Sequence, residues 1–210
     1  MRNLLHGLRS DESLMLAYQH GDSSAFESLY LRHKDSVFAF LYRNCQEPAL
    51  VEELAQDAWT SIIRRVESYQ PTAKFRTYLF SVAHNKLVDH WRRNKNRIND
   101  IDIDDIGSHP QAEHESTGDD YEPEASLARH QQKQTLLGAL ALLPDEQRDV
   151  FLLREEGFSL EQISEITGVG RETVKSRLRY AGQHLKTAME KQLTNNGTVM
   201  SSAAISGAKP

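Results

Sequence analysis

The chain has one cysteine, Cys45, in 210 residues. No internal disulfide can form, and a reducing compartment is expected. Cys45 falls among apolar and aromatic helix positions, which predicts a packed thiol rather than a reactive one. Nowhere do eighteen apolar residues run together, so no membrane-spanning helix is expected. The opening MRNLLHGLRS lacks an apolar run long enough for a signal peptide, which points to a cytoplasmic protein without membrane insertion. A metal-ligand set is missing too. Asp100, Asp102 and Asp104 have the odd spacing of a calcium loop, but Asp105 stands where that loop needs Gly and Gln111 where it needs Glu. His109 and His114 lack supporting ligands. No cofactor is expected.

Basic residues are absent from one long stretch. Residues 99–128 hold ten Asp/Glu and no Lys/Arg, and their acid, Ser, Gly and Pro content reads as a flexible linker. The net charge of −5 therefore divides unevenly, because outside this piece 25 basic residues face 20 acidic ones, a balance of +5. Lys74–Arg97 holds seven basic residues and one acidic, and Gly168–Leu193 six and two. Two basic segments flanking an acidic one suggest contact with nucleic acid.

What remains is strongly periodic, and the expected fold class is all-α. Two small helical domains, an N-terminal bundle (1–98) and a C-terminal helix-turn-helix domain (129–193), are expected on either side of the linker (99–128), with 194–210 a disordered tail. Asp11–His20 and Asp22–Cys45 read as helices split by Gly21, with Asp22 as N-cap. Pro48 opens a third helix to about Tyr69, with Leu50, Leu54, Ala58, Ile62 and Val66 facing inward. A loop, SYQPTAK, is broken by Pro71. A fourth helix follows, KFRTYLFSVAHNKLVDHWRR, ending near Arg97. In it Phe75, Tyr78, Leu79, Val82, Ala83, Leu87 and His90/Trp91 recur at helical spacing, while Arg76, Asn85, Lys86, Asp89, Arg92 and Arg93 occupy the other positions.

FSLEQISEITGVGRETVKSRLRYAGQHL is the most informative block. Ser159 and Gln162 form a capping box. Leu160, Ile163 and Ile166 face inward, Gly168 suits the positive φ of a tight turn, and Val169 plugs the corner. Val174, Leu178 and Leu185 bury the next helix. Two short helices joined this way are a helix-turn-helix. Arg171, Glu172, Lys175, Ser176 and Arg179 share one broad face of the second helix, where Arg and Lys can donate to guanine in the major groove.

Four ordered motifs now combine: Asp11 to His33 (DESLMLAYQHGDSSAFESLYLRH), Glu53–Arg65, Phe75–Arg93 and Leu142–Ala181. Together they resemble bacterial RNA polymerase sigma factors of the extracytoplasmic-function group, in the sigma-70 superfamily. The resemblance implies a dissociable specificity subunit without a catalytic site, partnered by core RNA polymerase, promoter DNA and an anti-sigma factor. It implies that Ser68, Tyr69, Gln70 and Lys74 form a loop capturing a flipped base of the promoter −10 element. Asn85 would frame that site, and Arg76, Lys86, Arg92 and Arg93 would meet phosphates. It implies −35 contacts from Arg171, Glu172, Lys175, Ser176, Arg179 and Tyr180, and polymerase clamp-helix docking through Leu54, Gln56, Asp57 and Ile62, with the polymerase flap region as a further partner surface. The linker would thread polymerase channels, its acids imitating RNA and Ile101, Ile103 and Ile106 serving as anchors. One departure stands out. Tyr180-Ala181-Gly182 replaces a common Arg-Ala-Arg, which removes two positive charges from the helix.

Two other readings compete. A stand-alone helix-turn-helix regulator has no need of Phe75–Arg93 or the loop before it. A metal-dependent nuclease built on Asp100–Asp105 fails on spacing and on the lack of a supporting constellation.

Overall fold

A computed structural model describes residues 9–99 and 134–205, and the described residues are helical throughout apart from turns. Four helices form the N-terminal half: α1 (Asp11–Gln19), α2 (Ser23–Cys45), α3 (Pro48–Arg64) and α4 (Phe75–Asn99), with a 3-10 turn at Val66–Ser68 between α3 and α4. The C-terminal half comprises α5 (134–141), α6 (Asp145–Glu155), α7 (Leu160–Thr167) and α8 (Arg171–Ile205). The acidic linker reading, with Ile101, Ile103, Ile106, His109 and His114, lies outside the described residues.

Local chemistry sets the helix starts. Ser10 and Asp22 accept hydrogen bonds from the backbone amides of Ser13 and Ser24, capping α1 and α2. Pro48 occupies the first turn of α3, where its missing N–H costs nothing. Helix α4 is capped from a distance instead, because the Glu12 carboxylate accepts the Phe75 backbone N–H at 2.9 Å. Both bonds of the Ser159/Gln162 capping box form, and Gly168 has φ 69°, the left-handed conformation that a Cβ disfavours.

Two boundaries differ from expectation. Helix α3 stops at Arg64 rather than near Tyr69, because the Gln19 side-chain amide gathers the carbonyls of Val66, Glu67 and Tyr69 at 2.9–3.2 Å. That amide pulls the chain into a tight turn. Helix α8 continues to Ile205, into the segment read as a disordered tail. Extending an existing helix needs no new nucleus, so Asn195, Asn196 and Gly197 weaken it without ending it.

Both helical domains expected from the sequence are present, and they also pack on one another. A single contiguous core runs from Leu14, Phe40, Leu54 and Leu79 to Leu153, Phe158, Ile163 and Val174. Helix α7 packs on α4, and α6 on α2. The reason is a second stripe on α4. Arg76, Phe80 and His84 recur every four residues beside the Phe75/Leu79 stripe, so α4 has a face for each half. Phe80 is fully buried against Phe40 and Phe158, with ring centroids 5.2 and 4.9 Å apart. His84 Nδ1 lies 2.9 Å from Asp149 Oδ2, an ion-pair distance at a buried position but outside hydrogen-bond alignment. Cys45 packs as expected, its thiol pushed up to about 12 by burial.

Two carboxylates in α1 tie the N-terminal half together. Burial opposes the charge on Asp11, but hydrogen bonds and charge from His33 and Arg32 outweigh it and hold the carboxyl below its ordinary 3.8. The Phe75 amide is the main cause holding Glu12 below its ordinary 4.5. Groups depressed in the folded state stabilise it fully above their unfolded values, and that contribution fades as pH falls through the folded ones. Asp11→Asn and Glu12→Gln are therefore expected to lower the urea midpoint at pH 6, with the difference from wild type shrinking below about pH 4. A pH-independent difference would mean that packing, not charge, is what the substitutions remove.

Candidate nucleic-acid interface

Two basic surfaces emerge, one on each half. On α4, Asn85, Arg92 and Arg93 are exposed. Arg93 Nε bonds only its own helix, at the Asp89 carbonyl, 3.2 Å away. Lys86 is half-buried and reaches Asp57 of α3 at 3.7 Å, so the DNA-facing and polymerase-facing candidates adjoin. Ser68, Gln70 and Lys74 are exposed on the loop, which turns tightly through a Thr72 N–H to Gln70 carbonyl bond of 2.8 Å. Beside the loop lies an open cleft of about 500 Å³ lined by Ser10, Asp11, Glu12, Arg32, Ala73 and Lys74. Both charge signs line it, which suits a polar base edge better than an apolar ligand.

Three of the residues expected at these surfaces lie elsewhere. Tyr69 is buried, its ring against Tyr78 and Phe75 at 5.6 and 6.4 Å, and burial pushes its hydroxyl up to about 12. It braces the loop from beneath and cannot stack on a base as placed, because Gln19 draws its backbone inward. Leu54 and Ile62 are 2% and 0% exposed, on the inner face of α3. They build the core and offer no docking surface. Gln56 and Asp57 remain exposed, as are Ile63 on the same helix and Tyr30 and Leu31 on α2. Tyr30 rests edge-on against Trp59, 5.2 Å away. A helical stripe marks both neighbours at a boundary as apolar, and only packing decides which faces out.

Arg76 is also drawn aside. Its guanidinium donates to the Glu156 carbonyl at 2.7 Å and to the Glu156 carboxylate at 2.9 Å, and lies over the Phe158 ring at 4.5 Å. Arg43 of α2 holds the same carboxylate. Nothing local in sequence marks Arg43 or Glu156, which stand 113 residues apart.

In the C-terminal half the turn is built as expected. Ser164 Oγ donates to the Val169 carbonyl at 2.6 Å, fixing the corner behind Gly168. The next helix exposes Arg171, Glu172, Lys175, Arg179 and Tyr180, with Ser176 half-buried among them. Arg171 pairs with Glu161 at 2.9 Å and Lys175 with Glu172 at 2.7 Å, both in solvent and therefore readily exchanged. The Lys175 hydrogen bond is the main cause keeping Glu172 below its ordinary value. The Arg179 guanidinium lies 5.0 Å over the Tyr180 ring, so Tyr180 steadies the arginine before it. Arg177 turns away to Glu146 of α6 and leaves the face.

Among the described residues no group of three His, Cys, Asp or Glu side chains is placed to hold a metal, and no helix is long and apolar enough to cross a membrane. The arrangement can hold nucleic acid by charge, hydrogen bonding and shape.

Each half matches a family of known proteins. Residues 29–97 match the family Sigma-70 region 2, and residues 133–185 match Sigma-70, region 4. RNA polymerase sigma factor CarQ of Myxococcus xanthus is 31% identical over 173 residues, covering 82% of this chain and 93% of that protein. RNA polymerase sigma factor YlaC of Bacillus subtilis is 29% identical over 175 residues, covering 82% and 95%. In fold, the chain is similar to CnrH solved in complex with the cytosolic domain of CnrY. The TM-score is 0.63 at 18% identity, over 87% of this chain and 99% of CnrH. It is also similar to RpoE of Bartonella quintana solved with the anti-sigma factor NepR, at TM-score 0.60 and 22% identity, over 79% and 96%.

Proposed function

The chain belongs to the RNA polymerase sigma factors of the extracytoplasmic-function group, within the sigma-70 family, and from that premise we propose a division of labour along it. Residues 1–98 bind core polymerase and the −10 element, 99–128 connect, and 129–193 read the −35 element. The protein directs RNA polymerase to promoters. It acts as a specificity subunit in the cytoplasm, and the chemistry stays with the polymerase.

One observation carries this reading: two exposed basic helical surfaces, on α4 and on the N-terminal part of α8, occur on one chain. A regulator that binds duplex DNA needs only the second. On α4, Asn85, Lys86, Arg92 and Arg93 track the displaced strand, while Lys74 lines the cleft that receives a flipped base and Ser68 and Gln70 are exposed on the loop leading to it. Unstacking that base costs a few kcal/mol, offset by edge hydrogen bonds and phosphate contacts. Gln56 and Asp57, with Ile63 beside them, form the docking face for the polymerase clamp helices. On α8, Arg171, Lys175, Ser176 and Arg179 enter the major groove, steadied by Tyr180. An anti-sigma protein is the expected inhibitor, as NepR is named for the RpoE neighbour.

The test is a reconstitution. Mixed with bacterial core polymerase, the protein is expected to co-elute in size exclusion and to produce start sites on fragmented genomic DNA that are absent without it. No association with core, together with tight binding to duplex DNA by the protein alone, would instead identify a stand-alone regulator.

A further inference from the structure

We infer that Glu156 is a latch that holds the chain in a closed, inactive form, an inference that rests on the sigma-factor reading above. Its carboxylate takes Arg43 from α2 and Arg76 from α4 together, at a site where the Glu156 side chain is only 12% exposed. Around it Phe158 seals against Phe80, Gln162 Nε2 donates to Thr77 Oγ1 at 3.3 Å, and Gln46 Nε2 donates to the Leu137 carbonyl at 2.8 Å. Every one of these contacts joins one half to the other.

Distance makes this form inactive. Helix α7 touches α4 directly, and the recognition helix follows α7 after one glycine turn. Packed helices lie about 10 Å apart, so the two reading surfaces sit on the order of 20 Å from one another. The element names alone separate −10 from −35 by about 25 base pairs, or about 85 Å of B-form DNA. The closed chain cannot occupy both. Glu156 also competes chemically, because an arginine fork that holds a carboxylate is the fork that holds a phosphate. While the latch is shut, Arg76 is withheld from the promoter strand.

The latch combines an apolar seam, Phe80 against Phe158, with a charged clasp at Glu156, and the clasp is the part a single charge change can undo. Without the carboxylate, two guanidinium groups face each other at a partly buried seam, and their repulsion favours opening. Glu156→Lys adds a third positive charge there. Arg43→Glu with Glu156→Arg rebuilds an opposite pair.

The experiment uses the full chain with Cys45→Ser and nitroxides on Arg64→Cys and Glu165→Cys, both exposed positions. Pulsed electron resonance reads the distance between the halves. In parallel, promoter-specific transcription is titrated against a fixed amount of core polymerase. Wild type is expected to give a short, narrow distance. Glu156→Lys, and more weakly Glu156→Gln, should shift the closed-to-open ratio by about tenfold, as removal of a charge-assisted hydrogen bond implies. Half-maximal transcription should then need less protein, and the double reversal should restore the narrow distance. A broad distance in wild type, or an unchanged one in Glu156→Lys and Glu156→Gln, overturns the latch. So does an opened chain whose transcription titration does not move. If wild type closes as described but no variant transcribes with core, the sigma-factor reading fails and takes the inhibitory role with it.

Discussion

Phe80→Ala is expected to cost about 3–5 kcal/mol of stability and to loosen the helix-turn-helix half in the same step. Phe80 has no exposed surface and meets an aromatic ring on each side, Phe40 in its own half and Phe158 in the other. The Arg76 guanidinium lies 5.1 Å over it. Truncation opens a cavity at the joint and removes both ring pairs, each worth about 0.5–1.5 kcal/mol beyond area alone. Natural domains hold only about 5–15 kcal/mol in reserve, so most of the margin goes. Denaturant unfolding measures the total, and amide exchange in α7 locates it. Undiminished protection in α7, or a cost under about 1 kcal/mol, would mean that the halves are stable independently of this ring.

Lys175→Ala with Arg179→Ala is expected to lower −35-dependent binding by the holoenzyme about a hundredfold, since each side chain that reads a base is worth about 1–3 kcal/mol. The salt slope should flatten by about 0.9 for each phosphate no longer neutralised. Folding should be nearly untouched. Both side chains are exposed, and the Lys175–Glu172 pair lies in solvent, where an ion pair adds little to stability. Arg177→Ala provides the contrast, since Arg177 points to Glu146 and should leave −35 preference intact. Quantitative footprinting over a salt series separates the outcomes. Unchanged base preference and slope in the double variant would remove α8 as the reader.

Much of this was legible because it is local. Asp22, Pro48, Gly168 and the Ser159/Gln162 box act within one turn of their own backbone, so their identity and spacing suffice. The face shared by Arg171, Lys175 and Arg179 follows from helical pitch once the helix is granted. Legibility fails where two positions satisfy the same period. Leu54 and Ile62 fit an inner stripe and a docking patch equally well, and burial assigns them to the core. Tyr69 reads as a loop aromatic until Gln19, 50 residues earlier, is found holding its carbonyl.

Pattern and composition by themselves determined an all-helical chain, a helix-turn-helix with a basic face, and a second basic helix behind an aromatic stripe. Each depends on propensity, capping or periodicity, which act over a few residues and survive without knowledge of the partner surface. Tertiary structure alone decided that α4 has two buried faces, that Arg76 is held by Glu156, and that His84 stands beside Asp149. These two pairs join groups 80 and 65 residues apart on either side of an acidic segment. No helical period predicts them, because they exist only once two finished surfaces meet and the charge buried between them must find its opposite.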